Sequence, residues 1–278
     1  MKLGNSSISK CYLGSTVVNK IYQGATEAYS NVTLPPFDYD SNTYWWDFRN
    51  TQTNNLIDTL GDDTMAYAYE YITGTVYKSF DQANKSRQPL IKTNGIDFNQ
   101  LTTRKMELID KSDICNATSG WYCAFNLNPT TATLRVLSIG GATGTNALRG
   151  ELDVTGSRLV RVRINANDGG TQTSLGLSPA LTLGTWYTVE VQVNISGGTA
   201  VMSCWLNGTA QTLTSTATPA HNTTFPASSP TGFVLGNTLV GTGTQSLDGE
   251  IQQMVFYNGV PSSGIRSSIS SYLVGIKP

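Results

Sequence analysis

Histidine is almost missing from this chain: His221 is the only one. A Ser-His-Asp arrangement would have to use it, and no G-x-S-x-G nucleophile turn accompanies it. The four cysteines, Cys11, Cys115, Cys123 and Cys204, form no CxxC pair and no Cys/His zinc spacing. Charge is equally scarce. Only 13% of residues are charged, 18 basic against 19 acidic, for a net charge of -1. A nucleic-acid binder usually carries a basic stripe, so that class is not expected. No stretch approaches the ~20 consecutive apolar residues of a membrane-spanning helix. The opening Met1-Lys2-Leu3-Gly4-Asn5-Ser6 lacks the apolar segment of a secretion signal. Asn-x-Ser/Thr sites at Asn31, Asn116, Asn194, Asn207 and Asn222 then read as a by-product of an Asn- and Thr-rich composition.

Threonine, serine, asparagine and glycine fill the places that charge leaves, and they favour strands and turns over helices. The 278 residues suit one large β-sandwich behind a short leader. Alternation of period two runs through most of the chain. Tyr44, Trp46 and Phe48 share a face, as do Trp121, Cys123 and Phe125. Val160, Val162 and Ile164 oppose Arg161 and Arg163, and Tyr187, Val189, Val191 and Val193 oppose Trp186, Glu190 and Gln192. Ile251, Gln253, Val255 and Tyr257 are expected on one face of the last strand. Asn207-Gly208 is a type I′ hairpin signal. Ile265, Ile269, Tyr272 and Leu273 have helical spacing, so Ser262 to Val274 is predicted as an amphipathic helix on the sandwich edge. Cys123 and Cys204 fall in strand-like runs and are expected as free buried thiols, with a Cys115–Cys123 loop as the alternative in an oxidising compartment. The expected class is all-β: a two-sheet antiparallel sandwich with a short C-terminal helix.

The first thirty residues repeat. Gly14-Ser15-Thr16 returns as Gly24-Ala25-Thr26, Lys10 as Lys20 and Tyr12 as Tyr22, after a weaker copy from Leu3 to Lys10. Gly4, Gly14 and Gly24 mark a ten-residue period, read as one strand plus one turn each. Such a segment cannot bury a core alone. Pro35-Pro36 then reads as a linker, giving units 1–34 and 35–278. The leader either adds strands to the following domain or serves as an anchor and oligomerisation module. The second reading is adopted.

Three later stretches together resemble the concanavalin A-like, laminin-G-type jelly roll. They are Gly184-Thr185-Trp186-Tyr187-Thr188-Val189, the hairpin Trp205-Leu206-Asn207-Gly208, and the run from Leu247-Asp248-Gly249 through Asn258-Gly259-Val260 into the helix. The leader resembles N-terminal segments of bacteriophage virion proteins. The resemblance implies a virion surface protein made in the host cytoplasm: a fibre, spike or capsid decoration. Its expected partners are itself (a trimer, as such fibres usually are), other virion proteins, and a host surface glycan. A purely structural decoration protein and a secreted bacterial glycan-binding or glucanase-like domain are the alternatives.

Site candidates are few. Glucanases of this superfold resemble one another in an E-x-D-x-E or E-x-D-x-x-E strand. Here Glu151 and Asp153 are followed by Thr155 and Gly156, so a third carboxylate is missing and the two read as a solvated strand face. No enzymatic activity is expected on that ground. Tyr67, Tyr69 and Tyr71 form a candidate aromatic ladder for stacking on sugar, or else pack internally. Asp168 in Asn167-Asp168-Gly169-Gly170 reads as a turn residue, with calcium as the alternative implied by laminin-G-like domains; no cofactor is expected. Arg158, Arg161 and Arg163 make a small basic stripe, read as solvated or as a subunit contact. Gly140-Gly141-Ala142-Thr143-Gly144 lacks the lysine of a phosphate loop and reads as a hairpin loop.

Overall fold

The structure is a computed structural model. It describes strands within residues 2–30, and residues 37–49, 67–68, 80–99, 104–109, 114, 118–132, 134–140, 148–165, 172–177, 180–196, 199–215, 232–237 and 246–278. The chain forms two compact units, Met1–Pro35 and Pro36–Pro278.

In the first unit, each decapeptide supplies a hairpin rather than a single strand. β1 (Lys2–Leu3) pairs β2 (Ser6–Ser7), β3 (Cys11–Leu13) pairs β4 (Thr16–Val18), and β5 (Lys20–Gln23) pairs β6 (Thr26–Ser30). All three pairings are antiparallel. The innermost partners are Leu3 and Ser6, Leu13 and Thr16, and Gln23 and Thr26. Gly-Asn, Gly-Ser and Gly-Ala stand between them in the sequence, and a glycine opening a two-residue connection is a strong hairpin signal. The period of ten is therefore the length of a hairpin, which revises the strand-plus-turn reading.

The second unit is an antiparallel sandwich. Its strands are β7 (Thr43–Asp47), β8 (Tyr67–Ala68), β9 (Phe80–Asp81), β10 (Leu90–Lys92), β11 (Gly95–Asp97), β12 (Met106–Leu108), β13 (Gly120–Pro129), β14 (Leu134–Gly140) and β15 (Leu148–Val154). They continue with β16 (Val160–Asn165), β17 (Gln172–Leu177), β18 (Tyr187–Ser196), β19 (Thr199–Leu206), β20 (Thr209–Ala210), β21 (Leu213–Ser215), β22 (Gly232–Leu235) and β23 (Gly249–Tyr257). Helix α1 (Ser263–Ile276) closes the chain. Among the described residues, one sheet has eight strands in the order β10-β11-β23-β13-β18-β19-β20, with β7 also on β23. The other has nine, β21-β17-β16-β15-β14-β22-β12-β9-β8.

Alternation aims Trp121, Cys123, Phe125 and Leu127 of β13 into the space between the sheets, with Val189, Val191 and Val193 of β18 beside them. Leu152, Val154, Val162 and Phe233 meet them from the opposite sheet. Trp121 stacks on Phe256 at 6.2 Å, and Phe256 meets Phe233 edge-on at 5.2 Å. Each such ring buries a large apolar area, and a well-placed pair adds about 0.5–1.5 kcal/mol beyond burial. Gly120 stands where β13 touches β18 most closely. At φ +118 a Cβ would lie 1.9 Å from the Val193 carbonyl oxygen, so only glycine fits there. The Asn207-Gly208 turn has φ +52 and +78, the two positive values that a type I′ turn needs.

Cys123 and Cys204 are free and buried, so Cys123 does not pair with Cys115. Burial, and next Glu190, push the Cys204 thiol up to about 12. A thiolate is the reactive form. Both thiols should therefore stay unlabelled by a maleimide in the native protein at neutral pH and label after denaturation, read by peptide mass mapping. Native labelling of either would mean that the core opens.

The helix does not lie on the sandwich edge, as its sequence suggested. It covers the outward face of the eight-stranded sheet, where Ile269 and Leu273 join Phe37, Trp45, Tyr122, Ala124, Val255 and Tyr257 in a second apolar core. Ser262 caps it by accepting from the Ile265 amide at 3.3 Å. That is why both faces of β7, β13 and β23 are buried.

Two bulges break the period of two. Between Phe125 and Leu127 of β13, the partner strand runs from Met254 to Ile251, so β23 carries an extra residue. Ile251, Met254 and Phe256 then face the main core, and Val255 and Tyr257 face the helix. The sequence pattern had grouped Ile251 with Val255 and Tyr257. The second bulge lies in β14 between Arg135 and Leu137.

Candidate functional site: an ionic platform on the nine-stranded sheet

The helix face of the eight-stranded sheet is closed, and its polar groups are consumed by the closure. Glu190 accepts from Tyr122 Oη at 3.0 Å, Ser270 Oγ at 2.7 Å and Arg266 Nη1 at 3.2 Å. Asn126 donates to Gln252 at 2.8 Å and to the Leu273 carbonyl at 3.0 Å. Asp47 accepts from Gln253 at 2.7 Å and from Arg49 Nε at 2.9 Å. That bond is the largest cause holding the Arg49 guanidinium above its ordinary range. These contacts fasten a helix.

The outward face of the nine-stranded sheet is built differently. Register places Ser138, Glu151 and Arg163 in one row across β14, β15 and β16, and Arg135, Asp153 and Arg161 in the next. The β14 bulge makes this possible. Val136 and Leu137 both join the core, so Arg135 and Ser138 emerge on the same outward side although three positions apart. Without the bulge, strict alternation would place them on opposite faces.

Asp153 is gripped by Arg161 through two bonds of 2.9 and 2.7 Å, and by Arg163 at 3.0 Å. Glu151 contacts Arg163 Nη2 at 2.5 Å and also pairs with Arg135. Arg135 Nη2 lies 3.9 Å from Asp153. Three guanidinium groups thus share two carboxylates. The carboxylates are buried, at 8% exposure for Glu151 and 3% for Asp153. The solvated strand face expected for them is not what forms, because each carboxylate lies under arginine side chains from flanking strands. Burial is the largest cause lowering the Arg135 guanidinium to about 10, and Arg163 adds to it. Burial likewise lowers Arg163, while the bond to Asp153 raises Arg161. Ser138 is 1% exposed, and neither its Oγ nor Arg163 Nε has a hydrogen-bond partner among the described residues.

The other candidates fare variously. Arg158 is not part of the platform; it sits at φ +62 in the turn between β15 and β16. Tyr67 belongs to the edge strand β8, but its side chain, and Tyr69 and Tyr71 entirely, lie outside the described residues. Gly4, Gly14, Gly24, Asp168, His221 and Gly141 to Gly144 lie outside them as well. Among the described residues, no group of three His, Cys, Asp or Glu side chains could hold a metal. Arg135 and Ser138 escaped the sequence reading because only the bulge aligns them with Glu151 and Asp153.

No protein-family model matches the sequence, and no curated protein is similar to it at a significant level. Solved structures are similar in fold. A sialidase of Trypanosoma rangeli in complex with 2,3-difluorosialic acid matches 89% of this chain and 34% of its own, with TM-score 0.55 and 11% identity. Another structure of that sialidase, with a difluoro-KDN ligand, matches 98% and 37%, with TM-score 0.54 and 12% identity. The IT-sialidase CBM40 of Ruminococcus gnavus, bound to α2,3-sialyllactose, matches 55% of this chain and 84% of its own, at TM-score 0.43 and 18% identity. This chain spans about a third of the length of the trypanosomal sialidases. Their likeness corrects the expectation that the protein is not an enzyme. The structures that share its fold over most of its length are enzymes, so the missing third carboxylate excludes one glucanase mechanism and nothing wider. What the likeness establishes is the fold: a two-sheet antiparallel jelly-roll sandwich.

Proposed function

We propose that residues 36–278 are a carbohydrate-binding jelly roll, and that the outward face of the nine-stranded sheet is its ligand face. The observation that carries this reading is the asymmetry of the two sheets. The helix seals one outward face, while the other presents two cross-strand rows of guanidinium, carboxylate and hydroxyl groups. Planar groups of both donor and acceptor type suit the paired hydroxyls of a sugar ring. The ligands in the titles of the sialidase structures, sialic acid among them, are compatible with a saccharide partner.

We further propose that the protein works on a virion surface and that the repeated hairpins attach it, to the particle or to sister copies. The support is the resemblance of the leader to phage virion segments and its three antiparallel hairpins in a separate compact unit. The test is binding of the full chain to an array of bacterial surface polysaccharides, with Arg161→Gln as the variant. Saturable binding that the variant weakens is expected. An array with no signal above a denatured control would refute the carbohydrate reading. Absence of the protein from purified particles by mass spectrometry would refute the virion role alone.

A further inference from the structure

The platform is one negative charge short. Arg135, Arg161 and Arg163 face only Glu151 and Asp153, and the whole group is largely removed from water. An uncompensated charge in such a place is costly, and the usual remedy is an anion with hydrogen-bonding oxygens. Two atoms show where its oxygens would go. Ser138 Oγ can donate and is buried without a partner, and Arg163 Nε is a second buried donor in the same condition. Both belong to the row that crosses β14, β15 and β16, with Glu151 between them. Adjacent strands are about 4.8 Å apart, so the two donors approach one spot from opposite ends of a row about 10 Å long. Arg161, with 32% of its side chain exposed, forms the open rim, and Ser138 the closed floor.

We propose that this spot takes the carboxylate of an acidic sugar, with Ser138 Oγ and Arg163 Nε each donating to it and Arg161 contacting the rest of the ring. The inference rests on the carbohydrate-binding reading and adds the ligand class: a sugar that carries a carboxylate, such as a uronic or nonulosonic acid. A sugar fits better than a bare anion because hydroxyl-binding groups adjoin the charged spot on an extended sheet face. Glu151 repels any anion, so the carboxylate must enter from the Ser138 and Arg163 side and not from above Glu151.

The experiment is calorimetric titration of the full chain at fixed ionic strength. The probes are glucuronic acid and N-acetylneuraminic acid, with galactose as the neutral sugar and inorganic phosphate as the bare anion. The proposal expects the acidic sugars to bind at least about tenfold more tightly than galactose or phosphate, since a hydrogen bond to a charged group is typically worth a factor of that order. Arg163→Gln and Ser138→Ala should each weaken the acidic sugars about tenfold. Ser138→Ala also guards against a folding artefact. Removing an unpartnered buried hydroxyl should leave the melting temperature unchanged or raise it, so a loss of binding in that variant cannot be blamed on unfolding. Galactose binding as tightly as the acidic sugars would overturn this inference and leave the carbohydrate reading standing. Phosphate binding as tightly would overturn it in favour of a bare anion site. Unchanged affinity in both variants would place the ligand elsewhere and overturn it too. If no sugar binds, both readings fall.

Discussion

Glu190→Ala is expected to lower the unfolding free energy by about 3–5 kcal/mol, the usual cost of removing one partner from a buried charged network. Glu190 is wholly buried between β18 and the helix. Its two oxygens hold Tyr122, Ser270 and Arg266, one residue from the sheet and two from the helix. Burial, and next the Glu190 charge, push the Tyr122 phenol well above its ordinary range, so it stays protonated and remains a donor. Without the carboxylate, two buried hydroxyls lose their acceptor. Arg266 keeps only its place over the Trp205 ring, 4.3 Å from the centroid. Glu190→Gln keeps an acceptor oxygen and should cost less, about 1–3 kcal/mol. Urea unfolding followed by circular dichroism measures both. An alanine variant within about 1 kcal/mol of the parent would mean that the apolar contacts of Ile269 and Leu273 hold the helix unaided.

This clamp was only half legible in the sequence. The helix was readable because Ile265, Ile269, Tyr272 and Leu273 repeat at helical spacing and Ser262 follows a proline. Its place was not, since an apolar stripe says that something is covered without saying what. The clue lay in the strands. Tyr122 and Ala124 of β13 alternate with core residues, yet they are too apolar for a solvated face. Glu190 also alternates with core residues and read as solvated, because a carboxylate on a strand usually is. Its partners are 68 to 80 positions away, a separation that no local pattern encodes.

The ionic platform was hidden for a different reason. Glu151, Asp153, Arg161 and Arg163 were all visible as alternating charges on adjacent strand-like runs, and pairing those runs brings them together. Arg135 and Ser138 were not, because a bulge at Val136 adds one residue and shifts the phase of everything after it. The same device in β23 brings Gln252 and Gln253 to the helix side together. Gln252 bonds to Asn126 and the Ile276 carbonyl, and Gln253 to Asp47 and Tyr272. Bulges of this kind have little local signature when neither flanking residue is glycine. Sequence alternation therefore located the strands and the main core, and lost the phase at the two places where function and helix docking depend on it.

The charge imbalance of the platform makes a prediction about sign. Asp153→Ala is expected to cost about 3–5 kcal/mol of stability, while Arg135→Met should cost at most about 1 kcal/mol or even stabilise the protein. Asp153 is the common acceptor. It holds Arg161 through two bonds and Arg163 through one, with Arg135 near by. Removing it leaves three arginines around Glu151 alone. Removing Arg135 has the opposite consequence. Two arginines then face two carboxylates, Arg161 on Asp153 and Arg163 on both, and the uncompensated charge is gone. Methionine fills much of the space of the arginine stem without strain. The low value of about 10 for the Arg135 guanidinium points the same way, since burial and the neighbouring Arg163 charge disfavour its protonated form. Folding is then strained by Arg135 below that pH and relieved as the pH rises through it toward 12.5. In Arg135→Met, that alkaline gain should vanish. Chemical denaturation of the parent and both variants, at neutral pH and again near pH 10, decides the matter. Equal losses for the two substitutions at neutral pH would mean that the third arginine is already balanced by an anionic group of the folded protein. The spot between Ser138 and Arg163 would then not need an anion from outside.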